Sequence, residues 1–100
     1  MTRAFPATPK RLADKLLQIR VDLELSQGMI LTRLGFADHL FRSNISQYEL
    51  GTRIPPLAVL LAYSRLAGVD MEILIDDDLD LPRTIPGKSK SATAKRSRRR

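Results

Sequence analysis

Cysteine is absent from this chain of 100 residues, so neither a disulfide nor a thiolate metal site is available to it. On that count the chain fits a reducing, cytoplasmic setting. Aromatic residues are scarce as well, at 5%. Tyr48, Tyr63 and the phenylalanines offer little surface on which single-stranded bases could stack. His39 is the only histidine and has no companion ligand, which argues against a metal centre. Asp76, Asp78 and Asp80 alternate like the start of a calcium loop. The glycine and glutamate that such a loop needs further on are replaced by Leu81 and Gly87, so these acids are read as solvated. No apolar run approaches the ~18 residues of a membrane span. The opening Met1 to Lys10 holds prolines and no apolar core of the secretory type. Ser26, Ser43, Ser46 and Ser64 have no base and orienting partner, Gly51 stands in no phosphate loop, and no cofactor motif occurs. An enzyme is not expected.

What is present is charge, unevenly placed. The net charge is +6 and the pI about 10.3, yet Met1 to Pro82 carries nine Lys/Arg against eleven Asp/Glu, a net of −2. Arg83 to Arg100 carries eight basic residues and no acid. Acids cluster too, with six of the eleven between Asp70 and Asp80. Up to Val69 the chain is mildly basic, at +4. That distribution points to a polyanionic partner, less strongly than the pI alone suggests.

With 43% hydrophobic residues, the chain is long enough for one domain with a modest core. Thr8–Pro9 is a helix start, since threonine caps and proline at the first position forfeits no hydrogen bond. Leu12, Leu16, Ile19 and Leu23 recur at helical spacing, widened by Leu17 and Val21, and predict a helix over 9–25. Ser26–Gln27 opens a second, over 26–34, with Met29, Ile30, Leu31 and Leu34 and a stop at Gly35. Gly28 weakens its interior by about 1 kcal/mol relative to alanine. Residues Phe36 to Phe41 read as a loop or single turn packing Phe36 and Phe41 on the core. A helix capped by Asp38 is the other option.

A third helix is expected over 42–50, anchored by Ile45 and stopped at Gly51. Pro55–Pro56 precede a fourth, over 56–67, carrying Leu57, Leu60, Leu61, Ser64 and Ala67 and ending at Gly68–Val69. Asp70 caps a fifth, over 71–76, with Ile73 and Leu74 inward. Three aspartates facing the negative end of the helix dipole should stop it there. From Arg83 to Arg100 there is almost nothing to bury, and a disordered basic tail is expected. Residues 1–82 thus form an all-α domain followed by the tail.

The pieces Ile19–Arg20, Leu25–Ser26–Gln27, Gly35, Ile45-Ser46-Gln47-Tyr48-Glu49-Leu50-Gly51, Pro55–Pro56, Leu57, Leu60–Leu61 and Gly68–Val69 occur in a telling order. In that order the chain resembles the helix-turn-helix class of phage repressors and Cro, the XRE-like regulators, over roughly Leu12 to Leu81. One departure is visible: nine residues separate Gly35 from Ile45, more than the family usually has.

The resemblance implies a five-helix, lambda-repressor-like fold that binds double-stranded DNA. The third helix would enter the major groove, with Arg42, Ser43, Asn44 and Gln47 touching base edges. An arginine can donate a bidentate pair to guanine and a glutamine can bracket adenine. Gln27 would hold a phosphate at the start of the second helix, and Thr52 and Arg53 another on the far flank. Arg20 and Glu49 would form a partly buried ion pair. A homodimer reading a palindrome would suit the family. The rival expectation is a protein-interaction or antitoxin-like module with the same fold, which the acidic Asp70–Asp80 segment favours. The basic tail reads as an electrostatic arm for nucleic acid, as a solubilising end, or as a partner-binding segment.

Overall fold

The computed structural model describes residues 9–88. Among them the chain forms helices α1 (Leu12–Asp22), α2 (Gln27–Leu34), α3 (Arg42–Leu50), α4 (Leu57–Ala67) and α5 (Met71–Ile75), and no strand. A further helical turn begins at Pro86–Lys88. Helix α1 packs on α3 and α5, α2 packs on α3 and α4, and α4 packs on α5. All five helices thereby close over one core.

That core is built from the apolar stripes of the helices: Leu12, Leu16 and Ile19 of α1, Ile30, Leu31 and Leu34 of α2, Ile45 and Tyr48 of α3. Leu17 and Val21 do not widen the stripe of α1; they are 36% and 53% exposed. On α4 the inward face is Val59, Leu60, Tyr63, Ser64 and Ala67, while Leu57 points to solvent at 76% exposure. Of the expected positions Leu60, Ser64 and Ala67 turn inward, and only Leu57 and Leu61 lie on the outer side. Val59 and Tyr63 complete the inward face at the same helical spacing, and α4 packs there on α2 and α5.

The helix ends also differ from expectation for identifiable reasons. Thr8 lies outside the described residues, and Pro9 to Arg11 do not join α1. The N–H groups of Lys10 and Arg11 donate instead to the two carboxylate oxygens of Asp77, each at 2.9 Å. The cap of α1 thus comes from a residue more than sixty positions away. At its other end α1 stops at Asp22, because Glu24 takes up the left-handed region at φ 60°. That conformation is unusual for a residue with a Cβ and turns the chain sharply into α2. Ser26 caps α2, its Oγ accepting from the N–H of Met29 at 3.1 Å, and Gly35 ends it at φ 87°.

Residues Phe36 to Phe41 form a single turn in which the Phe36 carbonyl accepts from His39 and Leu40. Phe36 packs on the core as expected, and Leu40 packs with it. Phe41 does not, being 75% exposed. Asp38 sits inside the turn and opens no helix. At α5, Asp70 occupies the cap position without a side-chain hydrogen bond. The end of α5 is held by Lys15, buried at 3% exposure, whose Nζ donates to the carbonyls of Ile73 and Asp76 at 2.6 and 2.9 Å. A cation at a helix C-terminus satisfies the last carbonyls and offsets the dipole that the aspartates oppose.

The largest correction concerns the boundary of the basic tail. Residues 83–88 belong to the folded body: Ile85 is 1% exposed and part of the core, and Gly87 is buried. A Cβ on Gly87 would overlap the carbonyl of Leu66 and crowd Ala67, so the two backbones meet directly there. One isoleucine among polar residues has no periodic partners to announce it, and the sequence pattern is silent at that point. Residues 89–100 lie outside the described residues.

Candidate nucleic-acid interface

Helix α3 is seated by its inner side. Ile45 and Tyr48 enter the core, and Glu49 is buried beside them. The guanidinium of Arg20 meets Glu49 through two bonds, Nε to Oε2 at 2.6 Å and Nη2 to Oε1 at 3.0 Å. Its remaining Nη1 donates to the carbonyl of Leu25 at 3.0 Å, and the Gln27 amide donates to Glu49 Oε1 at 3.1 Å. The Arg20–Glu49 pair therefore ties together the end of α1, the turn after it, the start of α2 and the end of α3. Bonding to Glu49 raises the pKa of Arg20 above its already high ordinary value, and the guanidinium stays charged. Below this network the hydroxyl of Tyr63 is buried with no hydrogen-bond partner among the described residues, and burial raises its pKa well above the usual tyrosine value.

The outer side of α3 is polar. Arg42 and Ser43 are exposed, and Gln47 is half-buried with its side chain outward of the core stripe. Arg42 lies across α2: a Cβ at Gly28 would stand 3.3 Å from Arg42 Cδ and 3.8 Å from Cγ. The glycine that weakens α2 as a helix thus makes room for the arginine stem. A glycine in the first turn of a short helix was the signal for this contact. Asn44 plays a part that sequence reasoning did not assign: its Oδ1 accepts from the N–H of Phe41 at 2.9 Å, closing the start of α3. Gln27 likewise spends an amide N–H on Glu49, so its side chain is held against the body.

At the other end of α3, Gly51 takes φ 80°, and the Gln47 carbonyl accepts from the N–H groups of Thr52 and Arg53 at 3.0 and 3.3 Å. Both residues are exposed and line a groove of about 610 Å³ shared with Lys10, Tyr48 and Ile54. Burial raises the pKa of Tyr48, while the positive charge of Arg53 works in the opposite direction. The arrangement places Gln27 and Arg42 on one flank and Thr52, Arg53 and Lys10 on the other, with Ser43 and Gln47 between. Chemically it is a polar strip with cations at both ends, able to donate hydrogen bonds to an extended anion.

No group of side chains among the described residues is arranged to hold a metal ion, and no described helix is long and apolar enough to cross a membrane. Comparison with family models, with curated proteins and with solved structures gave no match.

Proposed function

We propose that the chain is a sequence-specific binder of double-stranded DNA that regulates transcription, with a lambda-repressor-like helix-turn-helix formed by α2 and α3. It acts by binding and catalyses nothing. The observation that carries this reading is the four-way Glu49 network. It fixes α3 against α1 and the start of α2 through its inner face and leaves Arg42, Ser43 and Gln47 outward. A reader of base edges needs that rigidity, because a bidentate contact discriminates only when its donors are held in register. In the groove Arg42 would donate to guanine and Gln47 would bracket adenine. The start of α2, with Gln27, would meet phosphate on one side, and Thr52 and Arg53 on the other. Leu50, Ile54 and Leu57, at 72%, 52% and 76% exposure, supply apolar area for a second copy, which would give a palindromic target. The setting would be the cytoplasm, on the nucleoid when DNA is bound.

Selection from a random duplex pool tests the reading. A short motif should be enriched, and Arg42→Ala and Gln47→Ala should each relax it at particular positions, costing roughly 1–3 kcal/mol of discrimination. Enrichment of no motif, or a motif indifferent to both variants, overturns it. The exposed Phe41, Leu50 and Leu57 favour one second reading, an interaction or antitoxin-like module that docks a protein on the same face. In that case the two polar variants would leave partner binding intact and Leu50→Asp would abolish it.

A further inference from the structure

The connection from α2 to α3 is long, with nine residues between Gly35 and Ile45, and it delivers an exposed aromatic ring. Phe36 and Leu40 pack against the core, and the Phe36 carbonyl accepts from the N–H groups of His39 and Leu40, each at 2.9 Å. The next residue, Phe41, leaves 75% of its surface in water. Its backbone is held all the same. The Phe41 N–H donates to Asn44 Oδ1 and the Phe41 carbonyl accepts from the Asn44 N–H, both at 2.9 Å. With φ −116° and ψ 164°, Phe41 occupies the cap of α3, directly before the exposed Arg42 and Ser43. A serine or aspartate there would accept a hydrogen bond from the first turn, as Ser26 does for α2. A phenyl ring cannot. An exposed ring at a position that favours a polar residue gains nothing inside the chain, and its partner lies outside.

That partner is a protein or a nucleic acid. A protein-docking surface needs apolar area in one piece. The exposed Leu50 stands at the opposite end of α3, about 13 Å away along a nine-residue helix, and Ile54 lies beyond it. The chain neighbours of the ring carry a guanidinium and a hydroxyl. In a helix-turn-helix the N-terminal residues of the second helix contact base edges, so the start of α3 is the end that meets them. The ring has no hydrogen bond to offer there. The apolar feature of the major groove is the 5-methyl group of thymine, and phenylalanine is among the side chains that contact it.

We propose that Phe41 is a specificity-determining residue that packs its ring on the 5-methyl group of a thymine, beside the base pair read by Arg42. This rests on the reading of the chain as a binder of double-stranded DNA. The long connection then serves recognition: Phe36 and Leu40 fix it to the core, and Asn44 fixes the backbone from which the ring projects. Arg42 selects through hydrogen bonds, and Phe41 through a methyl group that only thymine displays.

Deoxyuridine keeps the hydrogen-bonding edge of thymine and lacks only the methyl group, so it isolates the contact. Selection with the full-length chain should enrich a thymine next to the position that Arg42→Ala relaxes, and Phe41→Ala should erase that preference. On a duplex carrying the selected motif, replacing this thymine by deoxyuridine should weaken wild-type binding about fourfold, the worth of one buried methyl group. Phe41→Ala should bind the two duplexes equally. The ratio is read within each protein, so a change in stability does not enter it. No enriched thymine beside the Arg42 position, or a wild type indifferent to deoxyuridine there, would overturn the proposal. So would a Phe41→Ala variant that keeps the wild-type ratio, and so would one that loses a protein partner while its DNA affinity is intact. Those failures leave a motif that still depends on Arg42 and Gln47, whereas a pool that enriches no motif condemns the DNA-binding reading itself, and the proposal with it.

Discussion

Helix α1 sends a basic side chain to a distant part of the chain at each of its ends, and the two ends use it differently. Near the C-terminal end, Arg20 is paired with a buried carboxylate, Glu49, whose side chain is 5% exposed. Near the N-terminal end, Lys15 serves carbonyls of α5, and Arg11 serves the Asp77 and Leu79 carbonyls and the exposed Asp80 carboxylate. The first joins two charges out of water and orients the candidate reading helix. The second is a clasp to backbone carbonyls, made by the buried Lys15 and the half-exposed Arg11, that holds the C-terminal segment in place. Breaking a buried charge pair strands a charged survivor, whereas losing the clasp strands neutral carbonyls at Lys15 and leaves the bonds of the half-exposed Arg11 to water.

The sharpest way to break this comparison is Glu49→Ala. It leaves the Arg20 guanidinium and the Gln27 amide without their acceptor, and we expect a loss of ~3 kcal/mol in urea melts. A loss below ~0.5 kcal/mol would place the pair in solvent and erase the difference between the two ends. Lys15→Ala should come next. It removes the donor to two carbonyls at the end of α5, and a loss of about 1–2 kcal/mol is expected in the same melts, with α5 and the 83–88 segment exchanging amide hydrogens sooner. Equal losses for Glu49→Ala and Lys15→Ala would show that the carbonyl clasp is as dependent on burial as the ion pair.

Acid gives the smallest effect and the most selective one. The backbone N–H of Arg11, and then that of Lys10, holds the Asp77 carboxyl below its ordinary value of 3.8. A carboxylate whose folded pKa is depressed stabilises the fold above its unfolded value. That contribution disappears as the pH falls through the lowered folded value, because the unfolded chain takes up the proton first. Stability measured from pH 5 downward should therefore decline in wild type, and the decline should be shallower in Asp77→Asn. Identical profiles for the two proteins would mean that the clasp contributes nothing through its charge.

Much of the helix content was legible from local signals. Ser26, Gly35, Gly51, Gly68 and Pro55–Pro56 punctuate the chain, and each acts through a local backbone preference that needs no distant partner. The inward positions Leu12, Leu16, Ile19, Ile30, Leu34 and Ile45 followed from helical spacing in the same way. The candidate site was legible in part. Arg42 and Ser43 are exposed, Gln47 is half-buried and Arg20 lies against Glu49, but Asn44 closes its own helix and Gln27 leans on Glu49. Lys15, Asp77 and Ile85 gave no local signal, since a lysine on an apolar stripe, one aspartate among several and one isoleucine in a polar run each look ordinary.

By itself, then, the sequence determined where α2, α3 and α4 start and stop and which residue types face the core, because those outcomes depend on neighbours a few positions away. Tertiary structure alone decided that Val59 and Tyr63, and not Leu57 and Leu61, complete the inward face of α4, that Asp77 would cap α1 and that Lys15 would close α5. It also decided that Ile85 would draw residues 83–88 onto the body. Each of these joins groups far apart in the chain. Their free energy comes from burial and from hydrogen bonds that exist only once the helices have met.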